Sequence, residues 1–540
     1  MRVTRLALLF ILLGCASEPD EKEAFFLDKK NEAQGKVIWQ KNGYQLSAME
    51  DFALQKGSSF LVVQSKEKIP DQFGLSTLKR FSLPGKMPYH LIPMPKQEKT
   101  LAKLANFAHG HKGVPCGRLQ KVDMSGLSLT KKTLYPPRYH TGIKLPEVAS
   151  LIPFVTEEAL RADISTLSAL GTRYHALPEG IESSQVVKQM FTENGEGIAR
   201  FTVASRAHLS SKQESILARM EGSSQPDKIV IVGAHLDSIH LANQKDAPGA
   251  DDDASGIATL AALLRAFAKE KAEFHYTVEL HAYAAEEVGL FGSFDFARAY
   301  AAQGKQVLAM VQVDMTTYFP AGQVPKIHLI TDDTHINVNY DLKNLIENYL
   351  TIPFAFKGLQ AGTSDHKSWA DQGYPTGFPF ENPDNYNPHI HTSKDLLSIT
   401  PDLSQALAMA QLVTSFVAHY AGLASASSSY EKGINGLYSQ DGEGDLPIAI
   451  YKDNAADENY KISVTSPLEP SYMHICKFAA RQSPSCATIR STLQKDGRLN
   501  GRATFTTTNS LSLASGDLLR VVAYNENHKK IAYRSILLGE

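Results

Sequence analysis

Residues 228–238 read "KIVIVGAHLDS". The apolar run Ile229–Val232 is too short for a helix and is bounded by turn residues, which makes it a strand buried on both faces. Strands of that kind belong to parallel sheets covered by helices. The run then stops abruptly at His235 and Asp237, so this strand ends in chemistry rather than in a neutral turn.

The neighbouring segments repeat the alternation. "LIPFVTEEALRADISTLSALG" (151–171) and "SQVVKQMFTEN" (184–194) read as helices. "SGIATLAALLRAFAKE" (255–270) places Ile257, Leu260, Ala261, Leu264, Phe267 and Ala268 on one helical face. "HYTVELHAYAAEE" (275–287) reads as a strand in which Tyr276, Val278, Leu280 and Ala282 alternate. "VLAMVQVDM" and "KIHLIT" are further strands, "NYDLKNLIENYL" is a helix, and "DLSQALAMAQLVTSFVAHYAG" (402–422) is a long closing helix. The pattern implies an α/β domain over 146–424 with a mostly parallel sheet between helical layers.

The rest of the chain reads differently. With 540 residues, two to four domains are expected. Residues 1–15 pair Arg2 and Arg5 with an apolar Leu6–Leu13, the layout of an export signal. Its end, Leu-Leu-Gly-Cys, resembles the lipobox of bacterial lipoproteins. The expectation is an exported protein, either a cell-envelope lipoprotein anchored through Cys15 or a secreted one. Residues 16–145 hold a polar tether and a small α+β unit with "SSFLVVQS", "YHLIPM" and the amphipathic "EKTLAKLANFAHG". After a Ser-rich linker, residues 436–540 read as short strands and turns, a small β-sandwich. In an exported chain Cys476 and Cys486 are candidates for a disulfide. A formal net charge of −2 gives no electrostatic basis for nucleic acid as partner. A membrane contact is expected only through a lipid on Cys15, and the chain is expected to be a monomer.

The strand ends and following loops of the middle domain carry His235 and Asp237, then Asp252 in "PGADDDASG" (248–256), Glu286 and Glu287, Asp314, Asp365 and His366, and His391. Ligands of parallel α/β sheets bind outside the carboxyl ends of the strands. Singly, each residue has an ordinary alternative, such as a helix cap or a solvated helix start. Together, imidazole and carboxylate on one concave edge are what a divalent transition metal requires. Three ligating carboxylates against two divalent ions leave one positive charge, which a hydroxide between the ions neutralises.

"VGAHLDS", "APGADDDASGIA", "AYAAEEVGLFGS", "VQVDMT", "SDHKSW" and "YNPHIHT" resemble, in order and spacing, the bacterial leucyl aminopeptidases, which are co-catalytic di-zinc exopeptidases. The resemblance spans about 150–420 and implies the zinc-exopeptidase α/β/α sandwich with a mixed sheet. It implies two zinc ions per chain, one held by His235, Asp252 and Asp314 and the other by Glu287, Asp252 and His391. Asp252 would bridge them, Glu286 would act as general base on a water between the ions, and Asp237 would orient His235. Met315, Phe378, Phe380, Tyr386 and Ile390 would line an apolar pocket for the N-terminal side chain of a peptide or protein substrate, leucine-like in character. A cis peptide between Asp252 and Asp253 is implied as well. Asp253 would cap the helix near Ser255, and Asp251 would face away. Asp365 and His366 match the motif but not the ligand set, so a supporting role is expected for them.

One departure is plain. The loop "FKGLQAGTSDH" (356–366) lacks the tyrosine and the two cysteines usual in these enzymes. Other readings on the same scaffold are a glutaminyl cyclase, a carboxypeptidase or a non-catalytic binding module. No Walker loop, HExxH or GxSxG motif is present.

Overall fold

The computed structural model describes residues 145–359, 362–400 and 402–423 of the middle domain. It also describes 25–29, 36–41, 44–48, 59–65, 67–75, 77–82, 88–109 and 118–123 before it. Beyond it, nine strands between 435 and 539 are described. Cys15, Cys116 and Cys486 lie outside the described residues, so the lipid and disulfide expectations fall outside them too. Among the described residues no helix is long and apolar enough to cross a membrane.

The central six-stranded sheet runs in the order 376–377, 306–312, 225–235, 276–283, 211–220, 201–208. Strand Gln225–His235 pairs in parallel with Tyr276–Tyr283 on one side and Gln306–Gln312 on the other. The chain therefore leaves this strand, adds one neighbour, and returns to add the opposite one. That reversal opens a crevice at the carboxyl ends of the three strands. Strands 211–220 and 201–208 extend the sheet as an antiparallel pair, so the sheet is mixed. This hairpin has no counterpart in the sequence reading. Strand 201–208 is half exposed along most of its length, and so carries no continuous apolar run. A second, three-stranded sheet of 354–357, 327–330 and 379–380 lies farther along the chain.

The opening stretch shows why the sheet is two-sided. Val230, Val232 and Ala234 enter the larger core with helices Glu157–Ser168, Ser255–Lys269 and Ser404–Ala421. Ile229 and Ile231 point the other way, into a cluster with Phe296, Tyr300 and Trp369. A period of two delivers alternate side chains to opposite faces. Helix Ser255–Lys269 departs from the one-faced expectation. It is buried almost all round, because the sheet covers one side and helices 157–168, 178–194 and 404–421 cover the rest. Helix Pro178–Asn194 starts six residues before the stretch that reads as helical, with Pro178 at its first position.

The N-terminal unit contains a four-stranded sheet ordered 79–81, 89–93, 59–64, 118–123, and the helix Glu98–His109. It shares a core with the middle domain: Leu61, Ile92, Leu101 and Leu104 pack with Tyr174, Ile239, Val288 and Phe291. After 435 the described strands join, antiparallel throughout, into one hydrogen-bonded sheet of nine, eight in a single run and the short strand 511–512 pairing with 459–466 beside it.

Candidate metal centre

Three parallel strands end side by side, and each hands over to a loop bearing acid or imidazole. His235 is the last residue of its strand, Glu286 and Glu287 follow Tyr283, and Asp314 follows Gln312. Adjacent strands are about 4.8 Å apart, so groups at these ends meet without further arrangement. Asp252 and His391 come from two loops that fold over the same edge.

Asp252 sits between the two histidines. Its Oδ1 is 3.0 Å from His235 Nε2, and its Oδ2 is 3.1 Å from His391 Nε2. His391 Nε2 is also 3.2 Å from Glu287 Oε2, and His235 Nε2 is 3.6 Å from Asp314 Oδ1. All five side chains are buried. Two clusters thus share one carboxylate, which turns a different oxygen to each.

The other two acids of the triplet are used elsewhere. Asp253 takes backbone N–H groups from His235 at 3.0 Å and Gly256 at 2.8 Å, the latter in the first turn of helix 255–269. A carboxylate oxygen of Asp253 also lies within 4.8 Å of donor atoms of His235 and Asp314, and its Oδ1 takes a further, longer N–H from Met315 at 3.4 Å. Asp251 turns away from the site and accepts from Thr317 N–H and Oγ1, each at 2.8 Å, and from Asn387 Nδ2 at 3.1 Å. The peptide between Asp252 and Asp253 is cis. Gly249 and Gly256 allow the close packing. A Cβ on Gly249, whose φ is +52°, would stand 2.4 Å from the Asp252 carbonyl oxygen, and one on Gly256 would stand 2.5 Å from both Asp253 carboxylate oxygens.

Asp237 does more than face a histidine. Its Oδ1 accepts the Glu286 N–H at 2.9 Å and its Oδ2 the Glu287 N–H at 3.2 Å, which fixes both glutamates. His235 Nδ1 lies 3.5 Å from Asp237 Oδ1 and 3.1 Å from the Asp237 carbonyl oxygen. Two further anchors are invisible in the motifs. Asp395 accepts the N–H groups of Asp251 and Asp252, both at 3.1 Å. The buried Arg173 donates to the carbonyls of Leu236, Pro248 and Gly249 at 2.9, 2.6 and 2.9 Å. Only separation in sequence hides them: Asp395 is 143 residues from Asp252 and Arg173 is 63 from Leu236.

Three non-glycine residues with positive φ border these groups: Ala285 (+56°) before Glu286, Met315 (+58°) after Asp314, and His391 itself (+57°). Such backbone costs on the order of 1 kcal/mol or more each and is held only where surrounding contacts enforce it.

The electrostatics call for positive charge. Burial pushes Glu286 well above its ordinary range. His235 opposes that shift, and the nearby charges of Asp365, Glu287 and Asp314 reinforce it. Burial also raises Glu287. Asp365, whose Oδ2 accepts from Gln312 Nε2 at 3.3 Å, is pushed up to about 7, chiefly by burial. Asp252 goes the other way: hydrogen bonds from His235 and His391 outweigh its burial and hold it far below the usual carboxylate range. Burial works against a charged His235, yet the carboxylates of Asp314, Asp237 and Asp252 beside it drive it well above an ordinary histidine.

A divalent zinc pair fits this donor set. Glu287 Oε1 and Asp314 Oδ1 are buried without a hydrogen-bond partner, which is costly unless a cation meets them. Two imidazoles and three carboxylates are the ligand types zinc takes. Beside the site, Met315, Phe378 and Phe380 form one apolar cluster with Ile330, and Tyr386, Ile390 and Leu359 pack against it. All five residues named from the sequence for the apolar pocket are therefore together, and Ile330 and Leu359 join them. His366 packs against Phe378, with ring centroids 4.7 Å apart and planes tilted by 34°, and supports that wall.

A two-sided mixed sheet with imidazole and carboxylate gathered at its switch point is the arrangement of a metal-dependent α/β enzyme. The sequence profile of Peptidase family M28 matches residues 215–417. A probable leucine aminopeptidase of Arthroderma benhamiae is 33% identical over 324 residues, covering 56% of this chain and 82% of that protein. Leucine aminopeptidase 1 of Fusarium vanettenii is 35% identical over 269 residues, covering 47% and 67%. The crystal structure of the LapA aminopeptidase of Legionella pneumophila shares the fold, with a TM-score of 0.56 and 22% identity over 68% of this chain and 98% of that one. The chain belongs to peptidase family M28. Both of these sequence relatives are fungal, so they support leucine aminopeptidase kinship without the bacterial placement expected from the motifs.

Proposed function

We propose that the protein removes single residues from the N-termini of peptides, with two zinc ions held by His235, Asp252 and Asp314 and by Asp252, Glu287 and His391. One observation carries this reading: Asp252 presents a separate oxygen to each histidine, at 3.0 and 3.1 Å, so that one carboxylate could serve both ions. When bound, the pair supplies Lewis acidity and lowers the pKa of water towards about 7.

The chain's own residues do the rest. Glu286, tethered through its N–H to Asp237, takes the proton from the attacking water and delivers it to the leaving amine. Its burial strengthens its hold on that proton. Such transfer is worth about 10²–10⁴ in rate. The apolar wall of Met315, Phe378 and Phe380, with Tyr386 and Ile390, receives the N-terminal side chain, so leucine-like residues are preferred. An export signal in residues 1–15 would place this activity outside the cytoplasm.

The test uses peptides ending in Leu, Arg, Gln or pyroglutamate, with and without chelator, for the wild type and Glu286→Gln. Leu release that chelator abolishes, and that Glu286→Gln abolishes while keeping its zinc, supports the reading. Activity surviving complete metal removal would sink it. Cyclisation of N-terminal Gln in place of residue release would make the protein a glutaminyl cyclase.

A further inference from the structure

One residue of the N-terminal unit stands against the histidine–acid cluster of the candidate metal centre. Helix Glu98–His109 is fastened to the middle domain along its whole length. At its start Glu98 Oε1 accepts from Tyr174 Oη at 2.6 Å and lies 3.3 Å from His175 Nε2. Near its end Asn106 Oδ1 accepts from Gln244 Nε2 at 3.2 Å. Between them, Leu101, Leu104, Ala105 and Ala108 are buried in the core shared with Ala285 and Val288, the residues on either side of Glu286 and Glu287. The final residue, His109, is therefore held at a fixed place.

That place is beside Glu287 and His391. His109 Nε2 is 3.0 Å from the Glu287 carbonyl oxygen and 4.0 Å from Glu287 Oε2, and the ring meets His391 edge-on with centroids 4.7 Å apart. The side chain is only 11% exposed. Donor atoms of His109, Glu287 and His391 all lie within 4.8 Å of one another, and the other oxygen of Glu287, Oε1, is buried without a partner. Two imidazoles and a carboxylate around one point make a zinc-type donor set.

We propose that His109 is a third imidazole ligand of the metal pair, supplied by the N-terminal unit to the ion held by Glu287 and His391. The proposal rests on the two-zinc reading above. Its consequence is closure. A substrate's free α-amino group needs a coordination position on one of the ions, and docked His109 fills one. Displacing helix 98–109 then frees it. The competing arrangement is a brace, in which Nε2–H donates to the Glu287 carbonyl and no more. The two exclude each other, because ligation through Nε2 needs its lone pair and moves the proton to Nδ1.

The experiment compares the full chain with His109→Ala and His109→Gln. Glutamine keeps a donor for the Glu287 carbonyl but is no imidazole. Circular dichroism and thermal unfolding check that each variant folds. Zinc content and zinc K-edge X-ray absorption then count imidazoles. The expected result is two zincs in every protein, three imidazoles per pair in the wild type and two in both variants. Zinc affinity, read by competition with a chromophoric chelator, should fall at least about tenfold in both variants. Release of leucine from a Leu-anilide should rise. Two zincs with two imidazoles in all three proteins, and affinity unchanged in His109→Gln, would establish the brace and overturn ligation. Loss of an imidazole with no rise in rate would overturn closure. Fewer than two zincs in the wild type would overturn the two-zinc reading itself, and ligation with it.

Discussion

Strand Tyr276–Tyr283 carries a buried histidine–acid cluster along its length and runs into another at its end. Along the strand, Glu279 Oε2 accepts from Tyr300 Oη at 2.7 Å and lies 3.1 Å from His281 Nε2, while its Oε1 pairs with Arg219. Both oxygens are taken, and although burial pushes Glu279 up, these partners outweigh it and lower its pKa. His281, lowered chiefly by burial, stays neutral, with Nδ1 left over. Past the strand's end, Glu287 and Asp314 each keep a buried oxygen with no donor. Arg173, the cation nearby, spends its guanidinium on three carbonyls. Histidine beside glutamate is thus not in itself a metal site. In the first cluster both carboxylate oxygens are taken and only an imidazole nitrogen, His281 Nδ1, is left over, whereas the second leaves buried carboxylate oxygens over for a cation.

Asp252→Asn tests this contrast most severely. It removes the shared charge, and zinc content should fall towards zero with activity at background, by metal analysis and Leu-peptide hydrolysis. A two-zinc, active variant would erase the distinction. Asp395→Asn touches no donor atom of the site and acts through the N–H groups of Asp251 and Asp252 and through Asn387 Nδ2, which donates to Asp395 Oδ1 at 3.0 Å. Zinc affinity should weaken about 10–100-fold, by chelator competition. Glu279→Gln strikes the cluster along the strand. It should cost about 2 kcal/mol, a few degrees in Tm, with zinc content unchanged. Zinc loss there would show that the two clusters are coupled.

The smallest effect is on pH dependence. Because Glu279 has a lowered folded pKa, its contribution is full above the ordinary glutamate range, and it is lost as pH falls through the folded value. Acid unfolding of Glu279→Gln should therefore follow pH less steeply than wild type, by calorimetry. An identical acid limb would show that Glu279 is not the group responsible.

Much of this was legible in one dimension. Short apolar runs ending in His235, Glu286–Glu287 and Asp314 specify parallel strands and mark their carboxyl ends, since backbone period and strand length are local properties. Asp252 could be singled out among three adjacent acids only through family resemblance. In the structure, the hydrogen-bond partners of Asp251 and Asp253 make the same distinction. The hairpin 201–220 was missed because a half-solvated antiparallel pair leaves a weak apolar signal. The C-terminal strands were legible as strands, but their joining into one ladder was not.

The sequence by itself determined which residues could be donors and which strands could bear them, because residue type and periodicity are written locally. Tertiary structure alone decided which oxygens are left without a partner. It brought Asp395 and Arg173 beneath the acidic loop, closed the apolar wall with Ile330 and Leu359, and set His109 against Glu287 and His391. Those outcomes depend on chain segments far apart in sequence, and hydrogen-bond satisfaction is a property of what surrounds a group, not of the group itself.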